Sequence, residues 1–155
     1  MPVADENLLD SFWAVARRLR HLSRDALAPW DVAPSQSRAL GMLRRHGQLR
    51  LGELSERLHI VPRSATEVVD GLQERGWCVR QPDPADRRAT VVTLTDAGRE
   101  LSEAIRAAQL EQADKFFAVL THEERAELAA TLGRLLRAEE GASLTFDRAS
   151  EDRGQ

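Results

Sequence analysis

The stretch that decides the fold is residues 58–98, which read LHIVPRSATEVVDGLQERGWCVRQPDPADRRATVVTLTDAG. Pro62 is placed to open a helix at a position where a missing N–H costs nothing, and Gly76 is placed to end it. Four apolar residues recur between them at helical spacing and are predicted to face inward: Ala65, Val68, Val69 and Leu72. Two short β-prone runs follow, residues 77–80 and 90–94, joined by a polar loop. The pattern predicts a helix followed by a β-hairpin, or wing.

A second helix comes directly before this one. Leu54 and Leu58 mark a brief helix that is predicted to end near residues 59–60, so only a tight turn separates it from Pro62. Two helices at this spacing form a helix-turn-helix candidate. In such a unit the second helix enters the major groove of DNA with its N-terminal side chains toward the base edges.

The exposed residues at the start of the second helix carry groups that can bind bases or phosphates. They are Arg63, Ser64, Thr66 and Glu67. Arginine can fork onto guanine or hold a phosphate, the hydroxyls can bond to either, and the carboxylate can accept from a cytosine amine. A merely solvated helix face would be equally polar, so this pattern alone leaves both interpretations open.

The predicted wing places two adjacent arginines, Arg87 and Arg88, in a turn that begins Asp83-Pro84-Ala85-Asp86. Arginine at a hairpin tip suits the narrow, electronegative minor groove of DNA. Asp86 is predicted to hold one of the two guanidinium groups in a fixed direction, which would lower the entropy lost on binding. The alternative is a surface turn whose charges pair only among themselves.

Two helices are predicted on the N-terminal side of the helix-turn-helix. The first carries an apolar stripe that stops before Pro29: Leu8, Phe12, Val15 or Ala16, Leu19 and Leu22. The second is expected to begin at Ser35 as its N-cap and to end at Gly47 as its left-handed stop. Ala39, Leu40 and Leu43 form its apolar face.

Two more helices are predicted after the wing. The segment from Thr95 to Gly98 begins a long helix, with an apolar side made of Leu101, Ile105, Ala108, Phe116 and Leu120. Residues 121–124 form a capping box that starts the last helix. Its stripe is Leu128, Leu132, Leu135 and Leu136, and a polar tail follows from Gly141.

The terminal stripes predict a second copy of the chain. The winged helix-turn-helix domain of residues 34–95 is too small to cover the apolar faces of the first helix and the last two. We therefore predict a homodimer with a helical dimerisation region, residues 1–33 and 96–140, and a polar tail, residues 141–155. The alternative is a monomer in which these helices pack only on each other. The predicted fold is mainly α with a small β-hairpin wing.

Composition and charge agree with a soluble nucleic-acid binder. The 155 residues are 42% hydrophobic and 30% charged, as in one globular domain. No segment reaches the length of about 20 apolar residues that spans a bilayer, and the N-terminus lacks the features of a signal peptide, so a cytoplasmic location without membrane contact is expected. The net charge of −3 is uneven: residues 34–90 hold 10 arginines against 7 acids, and residues 91–155 hold 8 basic residues against 13 acids. Contact with a polyanion is therefore expected in the central third.

The remaining chemistry-bearing residues give little support for a cofactor or an enzyme. Cys78 is the single cysteine, and inert burial in the first hairpin strand is favoured over a role as a peroxide sensor. The histidines are scattered without a metal-ligand spacing, and no cofactor is predicted: His21, His46, His59 and His122. The chain has no phosphate-binding glycine loop and no nucleophile elbow, so an enzyme is not predicted.

Three runs resemble the MarR (multiple antibiotic resistance regulator) family: residues 69–76 (VDGLQERG), 83–88 (DPADRR) and 93–98 (TLTDAG). The resemblance covers roughly residues 8–140. It implies a homodimer that reads an inverted repeat, with each second helix of the helix-turn-helix in a major groove and each wing in a flanking minor groove. Carried over by position, Arg63, Ser64 and Thr66 become base or phosphate contacts, and Arg87 and Arg88 become wing contacts.

The chain departs from the family pattern at three places. Glu67 stands where members often carry a basic residue, and Gly71 where they often carry a long one, so this face is expected to bind phosphate more weakly. Residues 51–52, Leu-Gly, stand where a small polar residue often begins the preceding helix. A backbone contact to DNA there is therefore in doubt.

The resemblance also implies regulation by a ligand. Such regulators, here expected to be a repressor, usually release DNA when a small, often aromatic and anionic molecule binds between the dimer helices and the winged core. The compatible residues are Trp13, Arg17, His21 and Trp30, which core packing and surface solvation explain equally well. The alternative function is a winged-helix protein-interaction module that does not touch DNA.

Overall fold

The computed structural model describes the backbone of residues 6–151 and the side chains of residues 7–138. In this range the chain forms six α-helices and three strands, and two short 3₁₀ turns lie at Ala28–Trp30 and Phe117–Val119. The elements in chain order are α1 (Glu6–Asp25), α2 (Pro34–His46), β1 (Gln48–Arg50), α3 (Leu51–Leu58), α4 (Pro62–Glu74), β2 (Cys78–Pro82), β3 (Thr90–Leu94), α5 (Asp96–Phe116) and α6 (His122–Glu151). The predicted fold class, mainly α with a β wing, is confirmed.

The sheet has three antiparallel strands in the order β1-β3-β2, whereas the sequence predicted only the β2–β3 hairpin. β1 adds the third strand by pairing Leu49 with Val92. Leu49 is buried while its two neighbours are exposed, which is the alternation of a half-buried strand. Three residues are too few for that alternation to be recognised in the sequence.

The core of the winged domain lies between α2, α3, α4 and the sheet. Its largest fully buried side chains are Leu40, Leu43, Leu54, Leu72, Val69, Val92 and Cys78. Helix α4 contributes Ala65, Val69 and Leu72, while Val68 is half-buried, so the predicted inward face is confirmed. This burial fixes which side of α4 remains available to a ligand.

The ends of these helices follow the sequence signals with one exception. Gly47 and Gly76 have φ angles of 78° and 74°, as their predicted roles as helix stops require. Pro62 occupies the first turn of α4. The predicted N-cap at Ser35 is wrong, because Ala33 caps α2 and its N–H donates to Gln36 Oε1 at 3.1 Å.

The start of α5 explains the glycine of the TLTDAG run. Thr95 Oγ1 accepts from Gly98 N–H at 3.1 Å and donates to Gly76 O at 2.7 Å. These bonds bring α5 against the backbone of Trp77, and a Cβ at position 98 would lie 1.9 Å from Trp77 O. Only glycine allows this approach of α5 to the residue that precedes β2.

From Lys115 onward the described residues form a compact unit of their own. The predicted capping box is confirmed: Thr121 N–H donates to Glu124 Oε2 at 2.7 Å, and Glu124 N–H to Thr121 Oγ1 at 3.2 Å. Helix α5 ends at Phe116, so Leu120 does not continue its stripe as predicted. The polar tail was predicted to begin at Gly141, after the last helix, but α6 continues through Gly141 to Glu151. The rest of the predicted tail, residues 152–155, lies outside the described range.

Several large apolar side chains of the outer helices are exposed. On α1 they are Leu8, Leu9, Phe12, Trp13 and Val15, and on α6 they are Leu128, Leu135 and Leu136. No helix within the described part of the chain combines the length and the apolar character needed to cross a membrane.

Candidate nucleic-acid interface

Helix α4 presents a polar face opposite its buried one. Arg63 and Glu67 are exposed, and Ser64 and Thr66 are half-buried. The structure thus brings the four predicted residues together on the first turns of the helix, as the sequence pattern required. Their binding of DNA stays a prediction.

Two contacts on this face were not predicted. Arg63 Nε and Glu67 Oε1 form an ion pair at 3.3 Å, one turn apart, with side chains 89% and 66% exposed. An exposed pair of this kind contributes at most about 1 kcal/mol, so a stronger anion can displace Glu67. Thr66 Oγ1 donates to Pro62 O at 3.1 Å, which leaves the hydroxyl oxygen as an acceptor.

The wing loop is closed by its own hydrogen bonds. Asp83 N–H donates to Ala89 O at 2.9 Å, and Ala89 N–H donates to Asp86 O at 2.9 Å. Asp83 Oδ1 accepts from Ala85 N–H at 2.9 Å. The two aspartates therefore define the shape of the loop that carries the arginines.

The expected role of Asp86 is corrected. Its Oδ1 accepts from the backbone N–H of Arg88 at 3.0 Å, because the carboxylate completes a local turn instead of holding a guanidinium. Arg87 and Arg88 are exposed, and no carboxylate in residues 7–138 forms an ion pair with either guanidinium. Both side chains are therefore available to an external anion.

An ion pair that the sequence analysis missed anchors the base of the wing. Arg50 Nη2 and Nε lie 2.6 and 2.7 Å from Asp83 Oδ2, which joins the residue before α3 to the start of the loop. The N–H of Ala85 and the Arg50 guanidinium hold the pKa of Asp83 below its ordinary value. The hydrogen bond between the Arg50 and Asp83 side chains also raises the pKa of Arg50. The partners are 33 residues apart in sequence, so no local pattern predicts their contact.

A second ion pair joins α4 to the wing strand β2. Arg80 Nη2 lies 2.6 Å from Asp70 Oδ1, and Arg80 Nη1 donates to Gln73 Oε1 at 2.8 Å. Asp70 and Gln73 belong to the VDGLQERG run. The polar residues of that run thus fix the hairpin relative to the helix that presents Arg63.

A third cluster joins Arg75, the residue that follows α4, to the loop before α2. The Arg75 guanidinium lies 3.9 Å from the centre of the Trp77 ring and donates to Asp31 O at 2.6 Å and Trp30 O at 3.1 Å. Asp31 has a positive φ of 51°. The cation–π contact and the two carbonyl bonds hold this loop against the end of the helix.

The four predicted effector residues lie in two places. Trp13, Arg17 and His21 are exposed on α1 at four-residue spacing, so they share one face of that helix. Trp30 is half-buried in the 3₁₀ turn and packs against the core. Ligand binding by these residues stays a prediction.

Cys78 is buried, and its Sγ lies 3.6 Å from Val69 O. Burial raises the pKa of its thiol, so the reactive thiolate is disfavoured at neutral pH. Within residues 7–138 no three His, Cys, Asp or Glu side chains converge on a position where they could hold a metal ion.

The comparisons with known proteins agree with this arrangement. The MarR family model matches residues 32–90. The HTH-type transcriptional repressor MdtR of Bacillus subtilis is 27% identical over 143 residues, covering 90% of this chain and 92% of the repressor. An uncharacterized HTH-type transcriptional regulator of Mycobacterium bovis is 35% identical over 113 residues, covering 72% of this chain and 78% of that protein.

Among solved structures, apo wild-type MarR from E. coli has a TM-score of 0.73 at 25% identity, covering 88% of this chain and 99% of that one. Both of these relatives carry the name of HTH-type transcription regulators. The chain belongs to the MarR family of DNA-binding, winged helix-turn-helix transcription regulators.

Proposed function

We propose that this regulator binds an inverted-repeat operator as a homodimer, with α4 of each chain in a major groove and each wing in a flanking minor groove. The observation that carries the proposal is the wing tip. Arg87 and Arg88 are exposed and without a carboxylate partner in the described residues, on a loop closed by Asp83 and Asp86. A preformed loop loses less conformational entropy on binding than a flexible one.

The two elements have different roles. A guanidinium in the minor groove responds mainly to charge and groove width, so the wing supplies affinity that tolerates sequence changes. Arg63 lies on the first turn of α4, the part of a recognition helix that contacts base edges. When a guanine displaces Glu67 from the Arg63 guanidinium, the two N–H donors of that group can bond to the base. Helix α4 therefore supplies the sequence preference.

The dimer is supported by the exposed apolar side chains of α1 and α6. Leu8 is 66% exposed and Leu136 is 68% exposed, although both lie on helices with an apolar stripe. Exposed rows of large apolar side chains mark interaction surfaces. A two-fold dimer places its recognition helices about 34 to 36 Å apart, one turn of duplex DNA, so two weak half-sites combine into one tight operator.

The regulator acts as a repressor that a small aromatic anion releases from DNA. Trp13, Arg17 and His21 offer one aromatic and two basic groups on one face of α1. Trp30 is joined through Arg75 to the end of α4, so a ligand that moves this turn also moves the recognition helix. Salicylate should lower operator affinity in the parent and not in Arg17→Ala, and equal release of both would remove Arg17 from the site.

Two substitutions test the division of roles, with Arg20→Ala on α1 as an exposed, charge-matched control. Arg88→Ala should weaken binding to all duplexes alike and reduce the slope of log K against log salt by about one phosphate. Arg63→Ala should relax the preference at one base position per half-site, at a cost of about 1 to 3 kcal/mol. Fluorescence anisotropy on single-base operator variants over a range of salt concentrations measures both effects.

The opposite results are equally specific. Salt slopes that are equal for Arg88→Ala, Arg20→Ala and the parent would remove the wing from the interface. A uniform loss over all sequences in Arg63→Ala would reassign that residue to a phosphate.

A further inference from the structure

The exposed side of α4 carries an ion pair between two residues of the same helix. Arg63 Nε lies 3.3 Å from Glu67 Oε1, and the two side chains are 89% and 66% exposed. Both residues lie on the side of α4 opposite Ala65 and Leu72, which are 0% exposed. In a recognition helix, the N-terminal part of this outer side meets the base edges. A base pair that α4 contacts there therefore meets both charges together.

Helix stability does not explain why these two charges stand in this order. Arg63 is the second residue of α4, where the positive end of the helix dipole disfavours a cation. A pair spaced four residues apart also stabilises a helix better when the acidic residue comes first, which is the reverse of the order in α4. Glutamate at position 63 and arginine at position 67 would serve the helix better. The observed order favours a role toward an external partner.

This pair can change partners more easily than the other ion pair of α4. Asp70 is held by Arg80 of β2 at 2.6 Å, so its carboxylate fixes the hairpin. Within residues 7–138, Arg63 and Glu67 form ion pairs only with each other. Both belong to one helix, so opening their contact separates no two elements of the fold. The pair can therefore turn toward a base pair at little cost in stability.

The groups of the ion pair are complementary to the major-groove edge of a G·C base pair. That edge presents two acceptors, guanine N7 and O6, followed by one donor, the N4 amine of cytosine. The Arg63 guanidinium offers donors, and the Glu67 carboxylate beside it offers an acceptor. An A·T pair instead places its adenine amine between two acceptors. The order of donors and acceptors along the ion pair therefore fits G·C and not A·T.

We propose that Arg63 and Glu67 read one G·C base pair in each half-site as a unit, an inference that rests on the proposed placement of α4 in the major groove. Guanine receives the guanidinium, and the released carboxylate accepts from the cytosine amine of the same pair. Glu67 also penalises other sequences, because a carboxylate that lacks an amine partner faces base acceptors and negative phosphates. It thereby lowers the affinity for unrelated DNA and raises specificity.

The test begins with selection of binding sites from a random duplex library by the full-length protein. The selected half-site should contain one G·C pair whose exchange for A·T weakens binding about tenfold or more. At this pair, 7-deazaguanine removes the N7 acceptor and 2-pyrimidinone removes the cytosine amine. Fluorescence anisotropy should show that 7-deazaguanine weakens binding by the parent and not by Arg63→Ala. It should show that 2-pyrimidinone weakens binding by the parent and not by Glu67→Ala.

Two variants of Glu67 and one matched control separate base reading from net charge. Glu67→Ala should bind unrelated duplexes more tightly than the parent, while its ratio of operator to unrelated affinity falls about tenfold or more. Glu67→Gln should tolerate A·T at the same pair, because glutamine can bond to adenine N6 and N7. Glu74→Gln removes an exposed acid near the end of α4 and should keep the parental base preference. A role of the ion pair in helix stability alone would leave the base preference of every variant unchanged.

Three results would overturn the inference. They are parental affinity that does not respond to 2-pyrimidinone, an equal response in Glu67→Ala, and loss of the base preference in Glu74→Gln. If Arg63→Ala still relaxed the preference at one base position, α4 would read DNA through Arg63 alone and the proposed function would stand. A parent protein that is indifferent to every base change in the half-site would remove α4 from the major groove and overturn both.

Discussion

Leucine recurs at helical spacing both in the winged core and on the outer helices α1 and α6. It is buried in the core and exposed on these outer helices. Leu54 and Leu72 of the core are both 0% exposed, whereas Leu135 and Leu136 on α6 are 59% and 68% exposed. On α1, Leu8 and Leu9 are 66% and 58% exposed. The winged core buries its leucines among its own helices and sheet, whereas these leucines of α1 and α6 are exposed.

The comparison separates two meanings of an apolar stripe. Helical spacing tells which face of a helix is apolar, because side chains three or four residues apart lie on one side. It does not tell which chain covers that face. A leucine within a folded domain contributes to the stability of one chain, while a leucine on a dimer helix contributes to association and depends on protein concentration.

The largest change in stability should appear when one leucine of the winged core is replaced by alanine and compared with the same replacement on α6. Leu54→Ala removes a fully buried side chain and should lower the free energy of unfolding by about 3 to 5 kcal/mol. Leu136→Ala should change the stability of the single chain within about 0.5 kcal/mol and weaken association of the proposed dimer about tenfold or more. Urea denaturation and sedimentation equilibrium over a range of concentrations measure the two quantities.

The pair of leucine variants also tests the monomer alternative. If Leu136→Ala lowered the unfolding midpoint as much as Leu54→Ala at every concentration, α6 would be covered within its own chain. The comparison between the two regions would then fail.

A smaller effect should come from one glycine on α5, where that helix contacts the winged core, and one glycine on α6. Gly98→Ala places a methyl group against the carbonyl of Trp77, the residue before β2, and should cost about 2 to 3 kcal/mol as the helix shifts. Gly133→Ala on α6 meets only the far end of the Arg137 side chain, 3.2 Å away. It should leave stability unchanged or raise it by up to about 1 kcal/mol.

Thermal melting of the two glycine variants distinguishes these effects. Equal melting temperatures would show that the approach of α5 to Trp77 is loose. Packing against Trp77 would then not explain why glycine stands at position 98 of the TLTDAG run.

Most of the fold could be predicted because its signals are local. The helix stops at Gly47 and Gly76, the first position of Pro62 and the capping box at residues 121–124 all depend on neighbours in sequence. β1 was missed because three residues carry too little pattern. The N-cap of α2 was misplaced because a glutamine side chain satisfied the backbone where a serine was expected to do so.

In the candidate site, too, contacts between residues close in sequence could be predicted and contacts between distant segments could not. Residues that share a helix face or a turn, such as Arg63 with Glu67 and Arg87 with Arg88, were placed correctly. Contacts between distant segments were not, because nothing near Arg50 announces Asp83. Asp86 shows the opposite error: it lies beside two arginines in sequence, yet its carboxylate bonds to a backbone N–H.

The smallest expected effect compares an ion pair inside the winged core with one at the start of α5. Asp83 has its pKa lowered by the Ala85 N–H and by Arg50, against an unfolded value of about 3.9. A lowered folded pKa means that the contacts of the carboxylate stabilise the protein above about pH 5, and that this stability is lost as the pH falls through the folded pKa. Asp83→Asn should therefore be less stable than the parent at pH 7, with a difference that shrinks below about pH 4.

Asp96→Asn is the matched control, because Asp96 pairs with Arg99 at 2.6 Å while its side chain is 92% exposed. Removing this exposed pair should cost at most about 1 kcal/mol at neutral pH. Urea midpoints of the parent and both variants between pH 3 and pH 7 isolate the contribution of Asp83, since every carboxylate other than Asp83 and Asp96 is present in all three proteins. A constant difference between Asp83→Asn and the parent down to pH 3 would mean that Asn fails for its shape and not for its missing charge. The anchoring of the wing by Arg50 would then be steric, and the position of the wing relative to α3 should be the same in acid as at neutral pH.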